Sequence, residues 1–194
     1  MGENIKAIQT YYNGYHFRSR TEARWAVFFD NANIRYQYEP EGYELSDGTR
    51  YLPDFYHPES NTFFECKGIM SDDDYDKITT FQKDMGVAVV IGYSDMTFQA
   101  SHDWSEDEFE IAVKDESYII ECPNCGRVFF LTSGGSYACR CCRHYEGDSI
   151  FAEYIRGDLK DWTGGEYMMK CIEKAKQARF EHGEMPIMFD SIGA

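Results

Sequence analysis

The sequence lacks long apolar runs, and no segment approaches the ~18 consecutive apolar residues that a membrane-spanning helix requires. Its first residues, Met1 to Tyr12, lack the basic and then apolar pattern of a secretory signal. No glycine-rich phosphate loop is present, and the five histidines form no pair at metal-ligand spacing. These absences predict a cytoplasmic protein that does not bind membranes, and they give no support to Ser-His-Asp or Cys-His chemistry.

Basic residues are in deficit, because 19 Lys and Arg stand against 34 Asp and Glu, for a formal net charge of −15. This balance argues against a protein that coats nucleic acid by bulk electrostatic attraction. The excess is local, since residues 71–121 carry 14 acidic and 3 basic residues, a pattern typical of a solvated acidic face. Residues 122–145 carry three arginines and no acid. A contact with DNA is therefore expected through that segment and the N-terminal arginines.

Aromatic residues are abundant at 16% of the chain, and a hydrophobic fraction of 43% excludes an intrinsically disordered protein. Periodicity predicts a helix over residues 19–32, N-capped by Ser19, and a second helix that residues 72–74 cap and Gly86 ends. Strands are predicted at 36–38, 43–45, 50–56, 62–67, 87–91, 118–120 and 127–132. Residues 1–18 form either an irregular entry or a short strand pair, and 148–156 and 166–179 read as helices. The order of elements predicts an α/β fold.

Five of the seven cysteines lie within 21 residues. They include two Cys-x-x-Cys knuckles, which thirteen residues separate: Cys122 with Cys125, and Cys139 with Cys142. Four thiolates suit a closed tetrahedral Zn²⁺ site, so a structural zinc is expected here rather than disulfides or free core thiols. Cys141 or His144 could replace Cys142 as the fourth ligand. The segment resembles a zinc ribbon, which either presents Arg127, Arg140 and Arg143 to phosphates or staples a subdomain without a core of its own.

A carboxylate pair is predicted on a hairpin, where ten residues separate Asp54 from Glu65. If the turn at 58–61 closes symmetrically, these two residues face each other across the hairpin at a Cβ separation of ~5 Å. Side chains alternate along a strand, so Lys67 shares the face of Glu65 while Cys66 points away. Two such carboxylates can share one hard divalent cation. The alternative is an exposed hairpin with an ordinary Glu–Lys arrangement, but the aromatic neighbours indicate a half-buried setting.

Three segments carry a resemblance to a nuclease family: Phe17-Arg-Ser-Arg-Thr-Glu-Ala-Arg-Trp-Ala26, Tyr38-Glu-Pro40 and Tyr51-Leu-Pro-Asp-Phe55. Together with the later Glu-x-Lys, residues 10–95 resemble the small phage and bacterial members of the PD-(D/E)xK nuclease superfamily. The resemblance implies a restriction-endonuclease-like core, in which helices flank a mixed sheet, and cleavage that leaves 5′-phosphate and 3′-hydroxyl ends. If the gene is phage-borne, the compartment is the cytoplasm of the bacterial host.

The resemblance also implies roles for individual residues. Asp54, Glu65 and the backbone carbonyl of Cys66 would hold Mg²⁺ or Mn²⁺, Lys67 would orient or deprotonate the attacking water, and Glu22 would be the helix-borne acid. Glu22 has a rival interpretation, because Ser19-x-x-Glu22 is a capping box. The residues expected to contact DNA are Arg18, Arg20, Arg24, Lys77 and Gln82, together with the three arginines of the cysteine segment. Solvated helix charges explain Arg18, Arg20 and Arg24 almost as well.

We therefore expect a metal-dependent deoxyribonuclease, and more specifically an endonuclease, whose zinc ribbon aids DNA binding. The expected organisation is a nuclease core (1–95), an acidic connection that could be part of the core (96–121), a zinc-ribbon-like segment (122–145) and a C-terminal helical region (146–194). Two alternatives have no catalysis: a nucleic-acid- or protein-binding module on a nuclease fold, and a structural zinc protein that binds another protein through aromatic residues. A protein partner or a homodimer stays open.

Overall fold

The computed structural model of the protein describes residues 8–101, 117–122, 124–132, 141–142, 160–161 and 165–180. The helices of this part are α1 (Arg20–Asn31), α2 (Asp72–Met85) and α3 (Glu166–Gln177). The first seven strands are β1 (Thr10–Tyr12), β2 (Tyr15–Phe17), β3 (Gln37–Tyr38), β4 (Tyr43–Glu44), β5 (Arg50–Tyr51), β6 (Phe55–His57) and β7 (Thr62–Lys67). The later strands are β8 (Ala88–Tyr93), β9 (Phe98–Ser101), β10 (Ser117–Glu121), β11 (Val128–Thr132) and β12 (Lys160–Asp161).

A five-stranded mixed sheet forms the centre of the fold, with the strand order β3-β6-β7-β8-β9. Strands β7 and β8 are parallel and α2 connects them, whereas the other neighbours pair antiparallel. The predicted α/β class is therefore confirmed. Among the described residues, no helix is both long enough and apolar enough to cross a membrane.

Helix α1 covers one face of this sheet through its aromatic side chains. Ser19 begins the helix as predicted, because its Oγ accepts a hydrogen bond from the Glu22 N–H. Trp25 and Phe29 are fully buried and contact the Phe64 ring of β7 at centroid distances of 4.7 and 5.1 Å. Gly92 of β8 allows this packing, since a Cβ there would lie 2.2 Å from the Phe64 ring.

Helix α2 packs on the opposite face, where Ile78 and Phe81 lie against Phe63 and Ile91. Its N-cap is Ser71 rather than residues 72–74, so the predicted cap was wrong by one position. The reason is a reciprocal capping box, in which Ser71 Oγ accepts from the Asp74 N–H and the Asp74 carboxylate accepts from the Ser71 N–H. Gly86 ends the helix in the left-handed conformation, as predicted.

One strand prediction was wrong, and one strand was not predicted. Residues 50–56 form two short strands instead of one, because Pro53 lacks the N–H that a continuous ladder needs. Strand β5 pairs with β4 in a separate sheet, while β6 joins the central sheet. Strand β9 lies within the predicted acidic connection and pairs with β8 at the sheet edge. The strand pair within residues 1–18 is present as β1 and β2.

The β10–β11 hairpin packs on the same core as α1. Phe130 of β11 is fully buried, and its ring lies 5.5 Å from Phe64 and 5.2 Å from His57, measured between centroids. Ile119 and Val128 belong to the same buried cluster as the α1 aromatics. The first cysteine knuckle therefore follows a strand that is anchored in the main core. The helix predicted over 148–156 lies outside the described residues.

Candidate active site and cysteine cluster

The β6–β7 hairpin brings Asp54 and Glu65 together in the predicted register. Phe55 pairs with Phe64 and His57 with Thr62, so the next position places Asp54 opposite Glu65. The Asp54 N–H donates to Glu65 Oε2 at 3.3 Å, and the Cys66 N–H donates to Asp54 Oδ2 at 2.8 Å. The exposed fraction is only 4% for Asp54 and 5% for Glu65. The hairpin is thus not a solvated surface, and both carboxylates must be compensated within the protein.

The pKa of Asp54 is strongly shifted by its surroundings in the site. Burial raises its pKa well above the usual aspartate range, and the neighbouring charges of Glu65 and Glu22 raise it further. The Cys66 N–H and the Arg18 guanidinium work in the opposite direction. Arg18 binds directly, with its Nη2 donating to Asp54 Oδ1 at 2.8 Å. The fold thus disfavours the charged form of Asp54 even though the Arg18 guanidinium contacts it.

Lys67 lies on the same face as Glu65, as the strand alternation predicted. Its Nζ is 2.9 Å from Glu65 Oε1 and 2.9 Å from Asp74 Oδ1, the latter on the first turn of α2. Burial disfavours the charged lysine, but Glu65 and Asp74 outweigh burial and hold the pKa of Lys67 above its usual range. Tyr51 completes this side by donating its hydroxyl to Glu65 Oε2 at 2.9 Å. Lys67 is therefore an ammonium group at neutral pH.

Glu22 lies near Asp54 but is held by its own set of donors. Ser19 Oγ donates to Glu22 Oε1 at 2.6 Å, and Oε2 accepts from the Tyr38 hydroxyl at 2.6 Å and from the Arg18 N–H at 3.0 Å. The carboxylate bonds the N–H of Arg18 instead of the N-cap N–H of Ser19, so it does not complete the reciprocal box that α2 shows. The negative charge of Glu22 nevertheless contributes to the raised pKa of Asp54. We call Glu22, Asp54 and Glu65 the carboxylate cluster.

The oxygen donors of this cluster suit a hard divalent cation such as Mg²⁺ in chemistry and in surplus negative charge. They do not form a ready three-carboxylate cage: within the described part of the chain, only cysteines bring three ligand atoms within 4.8 Å of one another. Asp54, Glu65 and the Cys66 carbonyl are the donors that the resemblance assigns to such an ion. Arg18 now occupies one oxygen of Asp54, so a bound cation would compete with its guanidinium.

The residues expected to contact DNA are dispersed. Arg18 is half exposed and binds Asp54 and Glu39 rather than standing free for phosphates. Lys77 is exposed on α2, but Gln82 is only 8% exposed and therefore presents little surface to a ligand. Arg20 and Arg24 line a cavity beside the end of α3. Arg127 is partly buried after the first knuckle, and Arg140 and Arg143 lie outside the described residues.

The cysteine cluster consists of Cys122, Cys125 and Cys142, whose Sγ atoms lie within 4.8 Å of one another. The Cys122 and Cys142 sulfurs are 3.7 Å apart. Tetrahedral Zn²⁺ with Zn–S bonds of ~2.3 Å separates its sulfurs by ~3.8 Å, so the group can hold such an ion. Cys142 belongs to the group and Cys141 is exposed outside it. Cys139, the predicted fourth ligand, and His144 lie outside the described residues.

Sequence reasoning missed the tyrosines of the site and the role of Arg18. Tyr38 and Tyr51 donate hydroxyls to Glu22 and Glu65, which lie 16 and 14 residues away in the chain. Both entered the prediction only within the segments that carry the resemblance, although a buried tyrosine hydroxyl needs an acceptor. Only the fold shows that carboxylates provide it.

Comparisons of the chain with protein-family models, with curated proteins and with solved structures found no significant match.

Proposed function

We propose that the protein is a divalent-cation-dependent deoxyribonuclease with a restriction-endonuclease-like core. The observation that carries the proposal is Asp54, a buried carboxyl group beside Glu65 and Glu22, whose charged form is disfavoured although Arg18 contacts it. Maintaining such a group costs stability unless a cation or substrate compensates it. The adjacent Lys67 ammonium adds the positive group that a phosphodiester would meet.

The chain's own residues would act on the substrate in distinct ways. Asp54, Glu65 and the Cys66 carbonyl would hold Mg²⁺ or Mn²⁺, which when bound polarises a phosphate and lowers the pKa of a bound water. Lys67 uses N–H groups on Glu65 and Asp74, and an ammonium has three donors. Its remaining donor would orient the attacking water or a phosphate oxygen. Because its pKa is raised, Lys67 would serve as a charged donor and not as the base.

The cysteine cluster supports a second, structural metal. Three thiolates at tetrahedral separations favour Zn²⁺, with Cys139 as the proposed fourth ligand. The ion would fix the turn between β10 and β11 and the segment that carries Cys142. Arg127 stands beside this turn, so a contact with the DNA backbone through it belongs to the proposal.

The decisive experiment measures cleavage of supercoiled, linear and single-stranded DNA, and of RNA, by the wild type, Asp54→Asn and Lys67→Met. Asp73→Asn is the matched control, because Asp73 is an exposed acid on α2 and undergoes the same change of charge. Reactions run with and without Mg²⁺ in a buffer freed of divalent ions, since a chelator would also strip the cysteines. Cleavage that needs Mg²⁺ and is lost in both site variants supports the proposal. Equal products from all four proteins would contradict it.

A non-catalytic nucleic-acid-binding module is the second candidate. One observation favours it: Arg18 and Lys67 already bind the carboxylates, so the cluster is partly neutralised within the chain. In such a module, Asp54→Asn would leave DNA binding unchanged and no Mg²⁺-dependent product would appear. Binding without cleavage by the wild type would select this candidate.

A further inference from the structure

A cavity of about 560 Å³ lies between α1 and the end of α3. Its lining, among the described residues, includes four cationic side chains and no acid: Arg20, Arg24, Lys176 and Arg179. This is notable in a chain with a net charge of −15. The concentration of one sign of charge in a concave site attracts anions of the opposite sign.

Helical geometry separates this cavity from the carboxylate cluster. Arg20 and Arg24 are four residues apart and share one stripe of α1, while Glu22 lies between them on the opposite side of the helix. The same helix therefore presents an acid to the candidate active site and two guanidinium groups to the cavity. A strand that crosses the N-terminal end of α1 could reach both.

Arg24 gives a second, independent observation. Its Nε is buried and has no hydrogen-bond partner among the described residues, although it lines a polar cavity. A buried donor without an acceptor is costly, and an oxygen ligand would satisfy it. A guanidinium group is planar and can donate two parallel hydrogen bonds to two oxygens of one phosphate or carboxylate group.

The other residues of the cavity lining favour a phosphate ester as the ligand over a simple inorganic ion. Phe180 contributes an aromatic wall, and the volume falls in the range of small-molecule sites. The Phe180 ring contacts Tyr12 of β1 edge-on, with a centroid distance of 6.1 Å, so it is held in place. An aromatic face beside cations is the combination that binds a base and its phosphate. Lys176 also interacts with Asp95, which the ligand would have to outweigh.

We propose that this cavity binds a phosphate and the adjoining base of a nucleic-acid strand, with α1 and the end of α3 as its two walls. The inference extends the proposed function. It rests on that function for one point, that the ligand is a nucleic-acid strand. It gives α3 a part in substrate binding. A nucleic-acid strand and a free nucleotide both offer a phosphate ester, so the test must distinguish binding of the strand from binding of the nucleotide.

The test measures anisotropy of a 3′-labelled 20-nucleotide single strand in buffer freed of divalent ions. Variants are Arg24→Ala, Arg179→Ala and the double variant. Lys170→Ala is the matched control, because Lys170 is an exposed cation on the same helix, pairs with Glu166 and does not line the cavity. Arg179 is exposed, so its removal leaves folding intact, and thermal unfolding checks each variant.

Each cavity variant should weaken strand binding about tenfold and lower the slope of log K against log salt by ~0.7. The control should change binding less than twofold. Equal weakening by Lys170→Ala, or none by Arg179→Ala, would overturn the inference. So would a 5′-mononucleotide that binds while the strand does not. Because binding is read without Mg²⁺, a failure of cleavage alone sinks the proposed function and leaves this inference standing.

Discussion

The carboxylate cluster and the cysteine cluster both gather ligand atoms, but they are built in opposite ways. The carboxylates come from α1, from the residue before β6 and from β7, and cations of the chain already contact Asp54 and Glu65. Two of the three cysteines come from one turn that closes the β10–β11 hairpin. A site assembled from distant elements and held under electrostatic strain suits function. A local, soft and closed site suits stability.

The largest expected effect separates activity from stability at Asp54. Asp54→Asn should reduce cleavage about a thousandfold, equal to ~4 kcal/mol. It should leave the melting temperature unchanged or raise it. The raised pKa means that the charged form is disfavoured in the fold, and each pKa unit costs about 1.4 kcal/mol at neutral pH. Calorimetry in metal-free buffer measures this. A large fall in the melting temperature of Asp54→Asn would show that the carboxylate cluster stabilises the fold as the cysteine cluster does, and would contradict the prediction.

The second prediction concerns Cys142. Cys142→Ala should release the metal and lower the free energy of unfolding by about 3 kcal/mol or more, because a structural metal contributes directly to folding. The neighbouring Cys141→Ala is the control, since Cys141 is exposed and lies outside the cluster. Metal analysis should find about one zinc per chain in the wild type and in Cys141→Ala. Equal metal content in Cys142→Ala and Cys141→Ala would contradict the assignment of Cys142 as a metal ligand.

The third prediction tests whether the two regions share one core, through the buried His57 ring between Phe29 and Phe130. Burial lowers the pKa of His57 to about 4 from 6.5, and its Nδ1 donates to the Arg35 carbonyl. As pH falls from 6.5, the unfolded chain binds the proton first. Stability should therefore drop by about 3 kcal/mol and level off below pH ~4.

His57→Gln keeps an N–H donor for the Arg35 carbonyl and removes the titrating group. Denaturant unfolding between pH 7 and pH 4 should show a flatter loss of stability in this variant than in the wild type. The two transitions, followed by fluorescence and by metal release, should coincide. Parallel pH slopes in both proteins would exclude His57 as the cause.

The smallest expected effect is at Glu22. Glu22→Gln should lower cleavage about tenfold, because Ser19, Tyr38 and the Arg18 N–H already engage its oxygens. The residue would act by placing Arg18 and by its charge on Asp54, so the Mg²⁺ concentration at half-maximal rate should shift more than the maximal rate. A loss as large as that of Asp54→Asn would make Glu22 a direct ligand.

Local signals predicted the helices of the described residues and the hairpin register well. Ser19, Gly86 and the aromatic stripe of α1 act through neighbouring residues, so the fold could not easily override them. Predictions failed where distant contacts decide. The break at Pro53 depends on which sheet each half joins, and β9 depends on the unpaired edge of β8. Neither edge can be seen in a linear sequence.

The sequence by itself determined that Asp54 and Glu65 face each other, because a symmetric turn and strand alternation are local rules. It also determined which cysteines are spaced to bind a metal. Only the tertiary structure decided that Arg18 binds Asp54, that Tyr38 and Tyr51 serve the carboxylates, and that α3 completes a basic cavity on α1. These contacts join residues far apart in the chain, and burial, which sets their strength, is a property of the whole fold.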